Sequence, residues 1–241
     1  MASTRQNEFA QTIGADLSDW VPRVKPSPIV LQGKYCHLEP LHPERHTHDL
    51  WEAYSQSDAR EWTYLLADPP ATEEALYQLY SDTCKREDYV PYTIISGKTS
   101  KAVGTISYMN ISLQNGDIEI GSINLSIHLK KTNMSTEAIY LMISRAMDDL
   151  GYRRMVWKCD SLNEASRRAA KRYGFAFEGV FRNHMVLKGR TRDTAWFSIT
   201  DYEWPERKAA FESWLSPANF DASGAQLRPL SDYMPVSSAC N

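Results

Sequence analysis

The chain is expected to fold as a mixed α/β layer structure, and three observations predict it. Apolar residues recur with period two over several short runs and with period three to four over longer ones, and both kinds interleave along the chain. Compact turn signals, Ser96-Gly97-Lys98 and Asn115-Gly116-Asp117, separate the short runs. The order that results (three or four strands, a helix, a strand, a helix, two strands) is neither that of a bundle nor that of a sandwich. The composition can support such a core: 241 residues, 42% hydrophobic and 24% charged.

Residues 1–28 are polar, with Pro22, Pro26 and Pro28 and little periodicity, and are expected to be an arm. Ile29–Pro40 alternates around Val30, Leu31, Tyr35 and Leu38, a first strand. His46–Ser57 places Leu50, Trp51 and Tyr54 at helical spacing. After Pro69-Pro70, Thr72 caps a helix with Glu73 and Glu74 in its first turn. Strands are expected over Tyr92–Ile95, Ala102–Asn110 and Asp117–Leu125. The period then changes: Ile139, Ile143, Ala146, Met147 and Leu150 predict a helix over Thr136–Leu150, ended by Gly151. Met155–Trp157 is a short buried strand and Asn163–Tyr173 a helix closed by Gly174. Strands Ala176–Val186 and Trp196–Asp201 follow, then a helix near Glu206–Trp214. The expected units are an arm (1–28), one domain (29–216) and a Pro- and Ser-rich tail (217–241).

Several function classes are disfavoured. The longest apolar run, Ala138–Ile143, is far short of the ~20 residues of a membrane span, and the N-terminal stretch lacks an apolar signal core. Cys36, Cys84, Cys159 and Cys240 form no CxxC pair, which suits free thiols in a reducing cytosol. A net charge of −3 argues against nucleic acid. His42, His46 and His48 lack a second ligand set, so no metal is expected and these are polar helix-start residues.

The most informative join is Ser126–Ser135, from a strand into a helix. Unpaired N–H groups at a helix start, with Lys130, Lys131 and the polar side chains of Thr132, Asn133 and Ser135, suit a diphosphate. A capped helix start with two solvated lysines has the same pattern.

Ile118-Glu119-Ile120-Gly121, the Lys130–Glu137 loop, Asn163-x-x-Ser166 and Tyr173-Gly174-Phe175 resemble the GNAT superfamily of acyl-CoA-dependent N-acetyltransferases. Leu150–Arg154, Trp157–Asp160, Phe177-Glu178-Gly179, Lys188-Gly189-Arg190, Arg192–Phe197, Glu203-Trp204-Pro205 and Ala218–Asp221 resemble the bacterial and fungal relatives of its ribosomal-protein N-terminal acetyltransferase branch. The resemblance runs from about Trp20 to Leu230. It implies a central, mostly antiparallel twisted sheet of about six to seven strands flanked by helices. It also implies acetyl-CoA as co-substrate, no metal, and direct transfer to a primary amine of a small molecule or an amino terminus, in the cytoplasm, by a monomer or homodimer that engages neither nucleic acid nor membrane. The family's phosphate loop, Gln/Arg-x-x-Gly-x-Gly/Ala, is met here by Lys130, Asn133 and Ser135. No glycine is present, so Asn133 is the expected left-handed position. That departure leaves a second reading, a catalytically degenerate CoA-binding scaffold.

The same resemblance assigns roles. Ile123–Leu125 offers a backbone N–H to the thioester carbonyl. Lys130, Lys131, Thr132, Asn133, Met134, Ser135, Thr136 and Asn163 hold the co-substrate. Strand alternation puts Glu119, Gly121, Ile123 and Leu125 on one face, and Glu119 is either the base or an ion-pair partner. The tyrosine many GNAT enzymes place seven residues after the asparagine is Ala170 here, so Ser166 is the candidate near the departing thiol. Trp62, Tyr64, Tyr108 and His184, with Arg190, are the expected acceptor walls, Trp62, Tyr64 and Tyr108 being equally candidates for core. Arg167, Arg168, Lys171 and Arg172 form a basic stripe, either solvated or meeting the CoA 3′-phosphate.

Overall fold

The computed structural model describes residues 4–235. A hairpin within the expected arm pairs β1 (Thr4–Gln6) with β2 (Thr12–Gly14). The expected first strand is two, β3 (Leu31–Gln32) and β4 (Cys36–Pro40), turning at Gly33. Then come α1 (Pro43–Ser55), a 3₁₀ turn (Ala59–Trp62), α2 (Glu73–Cys84), β5 (Tyr89–Ser96), β6 (Ala102–Ser112) and β7 (Asp117–Leu125). Next are α3 (Asn133–Ser144), β8 (Arg154–Asp160), α4 (Glu164–Arg172), β9 (Ala176–Leu187), β10 (Arg190–Thr200) and α5 (Trp204–Leu215). Thr72 caps α2 as expected, its hydroxyl accepting from the Ala75 amide at 3.1 Å.

Eight strands form one sheet in the order β3-β4-β5-β6-β7-β8-β10-β9. Every pair is antiparallel except β7–β8. One face carries the main core, where Tyr92, Tyr108, Ile118, Ile120, Trp157 and Phe197 pack against Met142, Ile143, Phe211 and Trp214 of α3 and α5. Leu230, beyond α5, is fully buried in this cluster. On the other face α1 and α2 cover the β5–β6 end through Leu50, Tyr54, Trp62, Leu76 and Tyr80. Beyond β7 that second face mixes charged and aromatic side chains, with Arg154, Lys158 and Glu178 beside Trp196 and Phe181.

Glu137 ties α3 to the β3–β4 turn. Its carboxylate accepts from the amides of Lys34 (2.7 Å), Tyr35 (2.6 Å) and Cys36 (2.8 Å). A Cβ on Gly33 would stand 2.6 Å from that carboxylate and 2.5 Å from the Cys36 carbonyl, so glycine is required there. Burial and the neighbouring carboxylate push the Cys36 thiol well above its ordinary range. Cys84 and Cys159 are also free, while Cys240 lies outside the described residues. Glu137→Ala orphans three amides at once and is expected to cost about 3 kcal/mol or more of stability, measurable as a lowered Tm.

Candidate active site

The strands that matter most are β7 and β8. They pair only at Asp117↔Arg154, Ile118↔Met155 and Glu119↔Val156. Beyond that, β7 stays with β6 as far as Leu125↔Gly104, and β8 stays with β10 as far as Asp160↔Thr194. The two strands therefore part, leaving facing backbone edges without ladder partners over Ile120–Leu125 and Trp157–Asp160.

A bulge accompanies the parting. Thr105 pairs with Asn124 and Ser107 with Gly121, so Ile106 alone opposes Ser122 and Ile123, and Ser122 takes φ +48°. The bulge overturns the expected alternation: Ile123 and Leu125 return to the face of Ile118 and Ile120 and pack against the main core. Glu119 and Gly121 remain on the opposite face.

The helix start sits at the end of β7. α3 begins at Asn133, three residues before the expected Thr136, and Thr132 is its N-cap. Thr132 accepts from the Ser135 amide at 3.4 Å, and the Ser135 hydroxyl donates to the Thr132 carbonyl at 2.9 Å. Among the described residues the amides of Asn133 and Met134 have no acceptor. The left-handed residue is Lys131, φ +61°, and not Asn133, which is already helical. The loop between strand and helix folds back on the Ser126 carbonyl, which accepts from the amides of Leu129 and Lys130, and this forces the reversal one residue before the cap. The buried Ser126 hydroxyl beside it has no partner. Lys130 is ion-paired with Glu61, from the 3₁₀ turn. Thr136 is buried and accepts from Arg172 at 3.0 Å, which brings one residue of the basic stripe to the helix start. An unsatisfied helix start, an orphan hydroxyl and nearby cations fit the diphosphate of a CoA thioester.

Glu119 is 5% exposed, and one oxygen, Oε2, takes both of its partners: Lys158 Nζ at 2.7 Å and Asn110 Nδ2 at 2.7 Å. Its Oε1 lies beside Gly121, where a Cβ would stand 3.2 Å from it and 2.6 Å from the Met109 sulfur. Lys158 also lies 4.2 Å from the centre of the Trp196 ring. Nearby, Arg154 joins Asp117 (2.9 Å) and Glu178 (2.6 Å). The Arg154 bonds hold the Glu178 carboxyl below its usual range, whereas burial raises that of Asp117 against the pull of the same arginine. Sequence reasoning missed Asn110, Lys158 and Trp196; the i, i+2 carboxylates Asp117 and Glu119 facing Arg154 and Lys158 are the signal that could have found the two basic partners.

On the core side Asn163 caps α4, accepting from the Ser166 amide at 3.0 Å. The Ser166 hydroxyl accepts from Trp157 Nε1 at 2.9 Å, so its own proton remains to be donated. Trp157 is the first β8 residue past the last β7 pair on that face. Burial raises the neighbouring Cys159 thiol, keeping it protonated and inert.

The expected acceptor walls divide. Tyr108 is fully buried in the main core and donates to the Met142 carbonyl, because its register on β6 faces α3 and not the open face. Trp62 is buried edge-on against Tyr54 under α1. Its backbone, however, belongs to a strap, residues 59–68, that crosses to the far strands. Lys188 donates to the carbonyls of Trp62 and Ala67 (both 2.8 Å) and pairs with Asp68, Arg190 donates to Thr63 O, and Tyr64 OH donates to Leu162 O at 3.3 Å. His184 faces the open side with Thr194 at 2.9 Å, beside Phe181 and Trp196.

A family model described as "Acetyltransferase (GNAT) domain" matches residues 36–176. The crystal structure of a GCN5-related N-acetyltransferase from Brucella melitensis is 42% identical, covers 90% of this chain and 99% of its own, and superposes with a TM-score of 0.88. A probable GNAT acetyltransferase from Chromobacterium violaceum is 36% identical over 80% of this chain and 96% of its own, with a TM-score of 0.75. An uncharacterized N-acetyltransferase of Bacillus licheniformis, p20, is 26% identical over 129 residues, 54% of this chain and 72% of that protein.

The left-handed backbone at Lys131 makes a measurable difference. Lys131→Gly is expected to leave Tm unchanged or raise stability by about 1 kcal/mol. Asn133→Gly, inside the first turn, is expected to lower it by roughly 0.5–1 kcal/mol.

Proposed function

Because the chain belongs to the GNAT acetyltransferase family, we propose that it is an acetyl-CoA-dependent N-acetyltransferase. In this reading it transfers acetyl directly to a primary amine of a small molecule or an amino terminus, in the cytoplasm, where its free thiols are stable. The observation that carries it is the parting of β7 from β8 between an anion-ready helix start and a polar face holding a buried carboxylate.

Acetyl-CoA supplies an activated thioester: the amine forms the new C–N bond as the C–S bond breaks, one proton leaving nitrogen and one reaching sulfur. The residues of this chain supply the rest. The amides of Asn133 and Met134, with Lys130 and Lys131, hold the phosphates. The unpaired β7 edge near Ile123–Leu125 offers an N–H to the carbonyl oxygen as charge grows there. Glu119 Oε1 accepts the amine proton while Oε2 stays clamped by Lys158 and Asn110. Ser166 donates toward the sulfur.

One feature favours the alternative of CoA binding without turnover: the phosphate loop lacks glycine, and its first lysine is engaged by Glu61. Thermal shift separates these readings in two steps. Acetyl-CoA at a hundred times its Kd should stabilise the protein by about 2.7 kcal/mol, and no shift at millimolar ligand sinks both. Given a shift, release of CoA thiol with an amine panel marks the enzyme; a shift with no release from any amine marks the scaffold.

Two variants sharpen the assignment. Glu61→Gln is expected to tighten acetyl-CoA binding several-fold by releasing Lys130, and Lys130→Glu with Lys131→Glu to weaken it; equal affinities in a calorimetric titration would move the phosphates elsewhere. Glu119→Gln is expected to cut kcat by about 10²–10⁴-fold at neutral pH and much less at high pH, where the amine is already neutral. A pH–rate profile parallel to the parent's would remove Glu119 from the base role.

A further inference from the structure

Arg192 is only 9% exposed, yet among the described residues it has no ion-pair partner. Its Nη1 meets only the Met185 sulfur, at 3.6 Å, and its Nε is buried without an acceptor. Buried cations are ordinarily paired, because desolvation penalises the charge. Arg207, buried to a similar degree, follows that rule: it is bonded to Glu203 Oε1 at 3.0 Å and to the Gly174 carbonyl at 2.7 Å. Arg192 does not.

Its place in the fold gives the exception meaning. Strand alternation puts Arg190, Arg192, Thr194 and Trp196 on one face of β10. At one end Arg190 reaches the strap at Thr63. Thr194, at the next alternate position, pairs with Asp160, the last residue of β8, so Arg192 stands just beyond the end of the β7–β8 opening. Further along, Trp196 Nε1 is a second buried donor with no acceptor. Both orphans only donate, so whatever meets them brings oxygen acceptors.

We propose that Arg192 determines acceptor specificity by binding a carboxylate on the amine substrate, so that the acceptor is an amine carrying one carboxylate, an α-amino acid or a close analogue. The proposal rests on the N-acetyltransferase reading above. The planar guanidinium fork matches a carboxylate bidentately. Of the other cations of this face, Lys158 and Arg154 are paired with Glu119, Asp117 and Glu178 and Arg190 is bonded to the Thr63 carbonyl, whereas the buried Nε of Arg192 has no acceptor. Held there, the substrate lies at the open end of the β7–β8 parting, with its amino group toward the opening.

The test uses Arg192→Met, which keeps the apolar stem, and Arg192→Lys, which keeps the charge without the fork. N-acetyl α-amino acids and the matching carboxamides serve as product probes, titrated by calorimetry with CoA present. In the parent the acids should bind at least tenfold tighter than the carboxamides. Arg192→Met should lose at least tenfold for the acids and nothing for the carboxamides, with Arg192→Lys between. CoA affinity should not change, and the Tm of ligand-free Arg192→Met should stay level or rise, since a waiting charge is removed. The proposal is overturned if carboxamides bind as well as acids, if phosphorylated amines bind tighter than acids, if Arg192→Met leaves acid binding unchanged, lowers Tm alone, or weakens CoA. Failure of the underlying reading shows differently, as no acetyl-CoA shift in the parent; acids that still bind through Arg192 would then leave the anion site standing.

Discussion

Two neighbouring strands that cannot stay together organise this protein. β7 is held by β6 and β8 by β10, each to its last residue, and the three parallel pairs between them are too few to close the sheet. The bulge at Ser122 commits β7 to its own partner and turns Ile123 and Leu125 into the main core. Once the opening exists, everything else is placed by it. The helix following β7 starts at one end, α4 stands over one side through Asn163 and Ser166, and the carboxylate of Glu119 sits at the closed end where the pairing stops.

Around that opening the fold separates rigid support from polar machinery. The Glu137 clasp locks α3 against the β3–β4 turn, so the helix start that faces the opening is fixed by a buried carboxylate with three amides on it. The strap of residues 59–68 works differently. It is fastened by carbonyls and charges to Lys188 and Arg190 of the far hairpin, and by Glu61 to Lys130 of the loop between β7 and α3. The Arg190 and Lys130 contacts are exposed or half-exposed and individually weak, while Lys188 is the more buried anchor. One segment therefore touches both the β7–α3 loop and the far hairpin, and under the proposed function the Lys130–Glu61 pair is the link that an incoming phosphate competes with.

Much of this was legible in the sequence. Period two and period three-to-four patterns located the strands and helices of the sheet core; Thr72, Asn163 and Gly174 marked helix ends where the structure has them, and Gly151 closes the π-helical turn Arg145–Asp149 that follows α3. Loop conformation was not legible. Without glycine, the position of the left-handed residue depended on how the loop folded back on the Ser126 carbonyl, and that moved it from Asn133 to Lys131. A one-residue bulge leaves no mark on composition, so alternation misplaced Ile123 and Leu125. Tyr108 and Trp62 were ambiguous because a large aromatic suits a core and a pocket equally; strand register decided for Tyr108, and the 3₁₀ turn that tucks Trp62 against Tyr54 decided for Trp62. The Glu119–Lys158 pair needed the parallel register of β7 and β8, which connects residues far apart in the chain.

In the proposed function the β7–β8 opening is the seat of acetyl-CoA. Hydrogen exchange of the backbone amides with and without acetyl-CoA tests this most directly. The predicted result is protection gathered at Ile120–Leu125, Asn133 and Met134, together with slower exchange around Asn163–Ser166, while β3, β4 and β9 are unchanged. Protection confined to β9, the α1–α2 surface or the N-terminal hairpin, with the β7 edge and the start of α3 unaffected, would contradict it.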